Sequence, residues 1–251
     1  MHDVIIGLID DRVTVTDPTL EDTSNGLYAL DVEATEYLDG KTMYFGTAAG
    51  WVETQNEDVF VMEDEDDGSV TIDTESETVD ERVTTEFYAD PDAGFVGVST
   101  SDGEFLFEGL ELDRGWSIYQ PRIDLDAFVE HVDRHNGHCL GYASSTEDHE
   151  DDIAGDANVN WHASASIEEA WSAEDLVQFA FSYQYGAGHV RGVVAESGYV
   201  AMYKDWPAEK FGRWLRDHVL PYAGLKAPTD EGQETLTSSS DEAAATGGDE
   251  A

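Results

Sequence analysis

Apolar positions in the first eighty residues fall in short runs with the period of strands. Residues 4–9 form a brief apolar run suited to a buried strand. Residues 27–34 (LYALDVEA) and 42–52 (TMYFGTAAGWV) are strand-like, and Asp39 and Gly40 between them supply a hairpin turn. Residues 59–62 and 70–72 flank the acidic run 63–67, which leads into Asp67 and Gly68 and reads as a solvated hairpin loop. Residues 73–81 (DTESETVDE) have no periodicity and read as a linker or exposed connection.

The rhythm changes from Val83 onward. Residues 84–89, 94–100 and 104–110 read as three strands, separated by Pro91 and by a turn at Asp102 and Gly103. A helix follows over 124–135, with Leu125, Phe128, Val129 and Val132 on one face, Asp124 placed to cap it and Asp126 in its first turn. The last third repeats the order. In residues 176–185, Phe179, Phe181, Tyr183 and Tyr185 alternate with Gln178, Ala180, Ser182 and Gln184, the mark of a half-buried strand. Residues 189–195 and 199–204 make a hairpin across Ser197 and Gly198. A helix then starts at Pro207 and runs to about Leu220, with Phe211, Trp214, Leu215, His218 and Val219 on its apolar face.

A strand–strand–strand–helix unit therefore occurs twice, over 84–135 and 176–220, and an Ala-Gly pair (Ala93 and Gly94, Ala187 and Gly188) opens the second strand of each. This is the spacing either of a duplication or of two unrelated α+β hairpin units. Residues 145–160 read as a long acidic loop. The pattern predicts an α+β fold of mainly antiparallel sheets with two principal helices. Residues 1–80 form a β-rich N-terminal subdomain or extend the same sheets, 83–225 form an α+β domain, and 226–251 form a disordered acidic tail.

Charge changes the picture of where such a fold works. The chain carries 56 acidic residues against 12 basic ones, a net charge of −44. Disorder is excluded for most of it by a 40% hydrophobic and 11% aromatic composition. Successive fifties hold 10, 16, 12, 8 and 10 acids, so no single face gathers them as a nucleic-acid mimic would. Spread carboxylates repel strongly in dilute buffer, but at about 1 M salt the screening length is only about 3 Å. Scarce lysine and abundant aspartate resemble the composition of salt-in halophilic archaeal proteins, a likeness of habitat and not of family. High KCl is thus expected to be needed for folding. No run approaches a membrane helix, the start is too short and acidic for a signal peptide, and the lone Cys139 excludes an internal disulfide. A soluble, cytoplasmic protein is expected.

Against so much carboxylate, basic and histidine clusters are the informative residues. Arg191, Lys204, Lys210, Arg213 and Arg216 fall within 187–222 against four acids, the one long stretch that is not acidic. With Tyr183, Tyr185, Tyr199, Tyr203 and Trp206 nearby, these cations suit a protein partner, or nucleic acid as the alternative. The same residues also suit an exposed helix supported by Glu209–Arg213 and Arg213–Asp217 pairs. His131, His135, His138 and Cys139 lie within nine residues, and the first two are one helical turn apart, so a zinc site is the metal expectation. Their spacing lacks the CxxC or HExxH patterns that make a zinc assignment specific, and helix-rim histidines are the plainer reading.

Other motifs fail. Asp156, Asn158 and Asn160 begin like a calcium loop, but Trp161 stands where glycine is needed and Ile167 where glutamate is needed. Gly186 and Gly188 lack the third glycine of a dinucleotide loop, and Lys41 and Thr42 lack the earlier phosphate-loop glycine. No catalytic residue is assigned. The expectation is a non-enzymatic binding or regulatory protein engaging a protein partner through 187–222. The alternatives are a nucleic-acid-associated protein and a metal-dependent enzyme centred on His131 and His135.

Transfer from concentrated KCl to about 50 mM buffer lengthens the screening distance several-fold. It is expected to abolish the near-UV circular dichroism of the native aromatics, and a native near-UV spectrum retained in dilute buffer would contradict the salt reading.

Overall fold

Strand β1 (His2–Ile9) is apolar on both faces, and it occupies the middle of the structure for that reason. In the computed structural model, residues 2–10, 18–37, 40–63, 70–99, 101–145, 159–173 and 175–225 are described. Val4 and Ile6 point into one apolar cluster, while Ile9 and the partly buried Ile5 point into another on the opposite face. The backbone of β1 is paired on both edges. One edge meets β6 (Phe95–Val98) over Ile5–Leu8, and the other meets β13 (Tyr199–Met202) and then β7 (Ile118–Tyr119).

The sheet grows outward from β1 in both directions, antiparallel throughout. Beyond β13 lie β12 (Gly188–Ala195), β11 (Leu176–Tyr185), β9 (His138–Ser145) and β10 (Val159–Ala163). Beyond β6 lie β5 (Val70–Asp90), β4 (Thr42–Glu63), β3 (Tyr28–Glu36) and the short β2 (Thr23–Ser24). A separate two-stranded ladder joins β8 (Pro121–Ile123) to β14 (Ala223–Leu225). Strands from residues 1–80 and from 83–225 share the one twelve-stranded sheet.

Four helices cover the sheet among the described residues. α2 (Leu125–Arg134), α3 (Ile167–Trp171) and α4 (Ala208–His218) contribute to the larger cluster, with Phe128, Phe179, Phe181, Phe211 and Trp214 wholly buried. α1 (Phe105–Arg114) closes the other face over Tyr28, Leu30, Phe87 and Val96. The Asp124 carboxylate caps α2 by accepting from the Ala127 N–H at 2.9 Å, as the sequence implied. No helix among the described residues is long and apolar enough to cross a membrane.

The α+β class with mainly antiparallel pairing is what the hydrophobic pattern predicts, but three elements differ. Residues 104–110 are not a strand. They enter helix α1, whose buried Leu106, Phe107 and Leu110 lie at helical spacing and whose end is a left-handed Gly115 (φ 68°) donating to Leu110 and Glu111 carbonyls. The adjacent Phe105, Leu106 and Phe107 imitate a strand run, and the glycine stop was the better signal. Four helices thus stand where two principal ones were expected, and the three-strand rhythm holds only in the second unit, β11–β12–β13–α4. Residues 73–81 are not a linker but part of β5, paired residue by residue with β4. A ribbon solvated on both faces has no buried side, so alternation is missing. The acidic loop expected over 145–160 is shorter at both ends, since Ser145 closes β9 and residues 159 and 160 open edge strand β10. The remainder of that loop (146–158) and the tail 226–251 lie outside the described residues.

Inside the larger cluster the Trp214 indole N–H donates to the Tyr183 hydroxyl at 2.7 Å, and both side chains are fully buried. Tyr183→Phe leaves that indole donor unpaired and is expected to destabilise the fold by about 1–3 kcal/mol. Tyr203→Phe, at an exposed ring, is expected to change stability by under about 0.5 kcal/mol. Thermal unfolding of the two variants in concentrated salt checks the contrast.

Candidate functional site

The basic residues of 187–222 do not form one free stripe. On α4, the Lys210 ammonium lies 4.1 Å from the Trp206 ring centre and 5.9 Å from that of Tyr185. Arg213 and Arg216 both stack on Tyr37, at 4.9 and 4.3 Å. Arg213 also donates to Glu209 at 3.1 Å, one helical turn back, and Arg216 donates to Asp217 at 2.9 Å. The Arg216 guanidinium comes within 3.9 Å of Asp90, a carboxylate with no exposure at all. Burial pushes the Asp90 carboxyl above its ordinary value, against the Ala93 N–H and the charges of Arg216 and Lys41. Arg213 and Arg216 therefore hold α4 against the β3–β4 corner. Arg191 on β12 and Lys204 after β13 are exposed.

The histidine cluster assembles from two helix ends. His131 and His135 project from the last turn of α2, and His218 is the final residue of α4. His131 is 6% exposed, while His135 and His218 are partly accessible. His131 Nε2 lies 3.0 Å from His218 Nδ1, and His131 Nδ1 lies 2.9 Å from the hydroxyl of Tyr222 in the 3-10 turn after α4. His135 Nδ1 sits 2.8 Å from the His131 carbonyl. That oxygen only accepts, so Nδ1 carries the proton and neutral His135 presents a bare Nε2. One ligand nitrogen from each histidine lies within 4.8 Å of the other two. Burial first, then the neighbouring His135 and His218, lowers the His131 pKa to about 4, and burial also lowers that of His218. Both imidazoles are thus neutral at neutral pH, the form that binds metal.

His138 and Cys139 stand apart from this cluster, on β9 opposite Ser182 and Phe181 of β11. His138 is exposed. Cys139 packs against the core, and burial raises its thiol pKa, so it is not an activated nucleophile.

The third feature is an arm. β4 meets β3 as far as Gly50, and β5 meets β6 from Phe87, so among the described residues the strand pairing of 51–63 and 70–82 is with each other. At about 3.3 Å per residue this ribbon extends about 40 Å. Trp51 and Arg82 stack at its base, 5.8 Å apart. Its middle is acidic and exposed, with Glu53, Glu75, Glu77, Asp80 and Glu81. Toward the tip, Val59 (62% exposed), Phe60 (45%) and Ile72 (67%) stand in solvent.

No protein-family model matches the chain, and no curated protein matches it either.

His218 and Tyr222 are the residues that local sequence motifs do not find, since they lie far along the chain from His131. The signal was present nonetheless, in a histidine placed on the apolar face of the α4 helix. The two apolar runs of the arm, 59–62 and 70–72, were legible, but its projection beyond the sheet was not, and residues 64–69 of the acidic loop expected between them lie outside the described residues.

The two arginines on Tyr37 are expected to behave differently. Arg216→Gln removes a counter-charge from the buried Asp90 carboxylate and is expected to cost about 3 kcal/mol. Arg213→Gln loses an exposed pair with Glu209 and is expected to cost under about 1 kcal/mol. Chemical denaturation at fixed salt checks both.

Proposed function

We propose that the chain is a non-enzymatic binding protein of a salt-rich cytoplasm, and that it engages a protein partner with the distal part of the β4–β5 arm. The observation that carries this reading is the exposure of Val59, Phe60 and Ile72 on a ribbon that is otherwise mostly polar and acidic in sequence. In a chain of net charge −44, apolar side chains held this far from the core are an unusual use of surface. Two free strand edges invite aggregation unless charge blocks them, and Glu53, Glu75, Glu77, Asp80 and Glu81 supply that charge.

The partner's chemistry follows from the same residues. It presents an apolar groove for Val59, Phe60 and Ile72, bordered by basic side chains that face the acidic flanks. A second copy of this chain, with 56 acidic residues against 12 basic ones, is a poor source of such a border. In molar salt, charge acts only across about 3 Å, so it selects the register of docking while apolar burial provides the affinity. The commitment of Lys210, Arg213 and Arg216 to Trp206, Tyr37 and Glu209 supports a protein partner over nucleic acid.

Recovery of a complex in about 2 M KCl, with cross-links mapped to the bait, tests the reading. The triple variant Val59→Asp, Phe60→Asp and Ile72→Asp is expected to reduce recovery at least about 10-fold, equivalent to about 1.4 kcal/mol of binding. Its near-UV spectrum should be unchanged. Charge reversal of Arg191 and Lys204 is expected to leave recovery intact. Unchanged recovery with the arm variant, or loss with the Arg191 and Lys204 variant alone, overturns the assignment to the arm.

A further inference from the structure

We propose that His131, His135 and His218 bind one first-row divalent cation, zinc above all, with Tyr222 as the hydrogen-bonding partner that orients His131. The site lies away from the arm, so the two readings stand or fall separately.

The geometry is close to that of a bound ion. Two nitrogens around tetrahedral zinc, at about 2.0–2.1 Å from the metal, lie about 3.3 Å apart. His131 Nε2 and His218 Nδ1 are 3.0 Å apart, and the third histidine offers its nitrogen within 4.8 Å of both.

Tautomers agree with this geometry. Metal-bound imidazoles usually donate their second N–H to a carbonyl or another oxygen acceptor. His135 does so through Nδ1 to the His131 carbonyl at 2.8 Å. His131 has its acceptor in the Tyr222 hydroxyl at 2.9 Å, and donation there leaves Nε2 bare toward the cluster. His131 and His135 thus each hold one nitrogen against an oxygen, and His218 turns Nδ1 toward His131 Nε2.

The helices add electrostatics. His131 and His135 close the C-terminal turn of α2, and His218 closes that of α4. Two helix C-termini, each carrying partial negative charge, therefore meet at the point where the cation would sit. A shell of imidazoles without carboxylate selects zinc, copper or nickel over magnesium and calcium, which prefer oxygen. The partial accessibility of His135 and His218 leaves the fourth position to water.

The test uses the full chain without a histidine tag, stripped with a chelator and kept in about 2 M KCl to screen ion binding by surface carboxylates. Zinc is titrated against a chromophoric chelator, and cobalt is followed by its visible absorption. The expected result is one ion per chain, with the intense visible bands of four-coordinate cobalt. His218→Ala, at a partly accessible position, is expected to lower zinc affinity at least about 100-fold and remove those bands, and Tyr222→Phe to lower affinity about 10-fold. His138→Ala and Cys139→Ser are expected to leave both readouts unchanged. Absence of stoichiometric uptake, an unchanged cobalt spectrum in His218→Ala, or loss of binding in Cys139→Ser overturns the site.

Discussion

Everything else in the molecule hangs on the double pairing of β1. Among the described residues, its eight residues are the one bridge in the ladder between the strands that end at β10 and those that end at β2. Val4 and Ile6 lock one face beneath α2 and α4, and Ile9 locks the other beneath α1. His2 adds a polar tie. Its ring stacks on Phe211 at 5.0 Å, and its nitrogens reach the Tyr88 hydroxyl at 3.0 Å and the Trp206 carbonyl at 2.5 Å. Because β1 is paired on both edges and packed on both faces, α4 is held at a fixed place relative to β4 and β5. The base of the arm and the end of the histidine cluster are both set by that placement.

The acidic surface and the aromatic interior divide the work of stability. Carboxylates keep the chain soluble in strong salt but contribute repulsion in weak salt, while the core joins aliphatic side chains to large Phe, Tyr and Trp rings whose burial does not depend on screening. Cations are so few that the fold spends them where a buried acid or an aromatic face needs one. Arg216 beside Asp90 and Tyr37 is the clearest case. Arg216 is thereby drawn inward, while Arg191, Lys204, Lys210 and Arg213 stay exposed.

How much was legible in the sequence depended on whether a residue's role was local. Helix α2 could be read from its cap at Asp124 and its apolar period, and strand β11 from the alternation of Phe179, Phe181 and Tyr183, because one buried face writes a period into the chain. Helix α1 was misread because Phe105, Leu106 and Phe107 are adjacent, and the deciding Gly115 lies beyond them. The arm was missed because a ribbon exposed on both faces leaves no period to read. His131 and His135 could be paired from helical spacing, whereas His218 joins them only through tertiary packing of α4 on α2. Sequence proximity placed His138 and Cys139 with the cluster, but the turn after α2 carries them into β9.

Hydrogen–deuterium exchange of the free chain in concentrated salt tests the central claim most directly, that a sheet locked by β1 carries an uncovered arm. The account predicts that amides of residues 4–8 exchange slowest of all, and that those of 53–60 and 72–80 exchange orders of magnitude faster. Protection of the arm equal to that of β1 in the free monomer would contradict it, because the arm would then be covered by the chain itself.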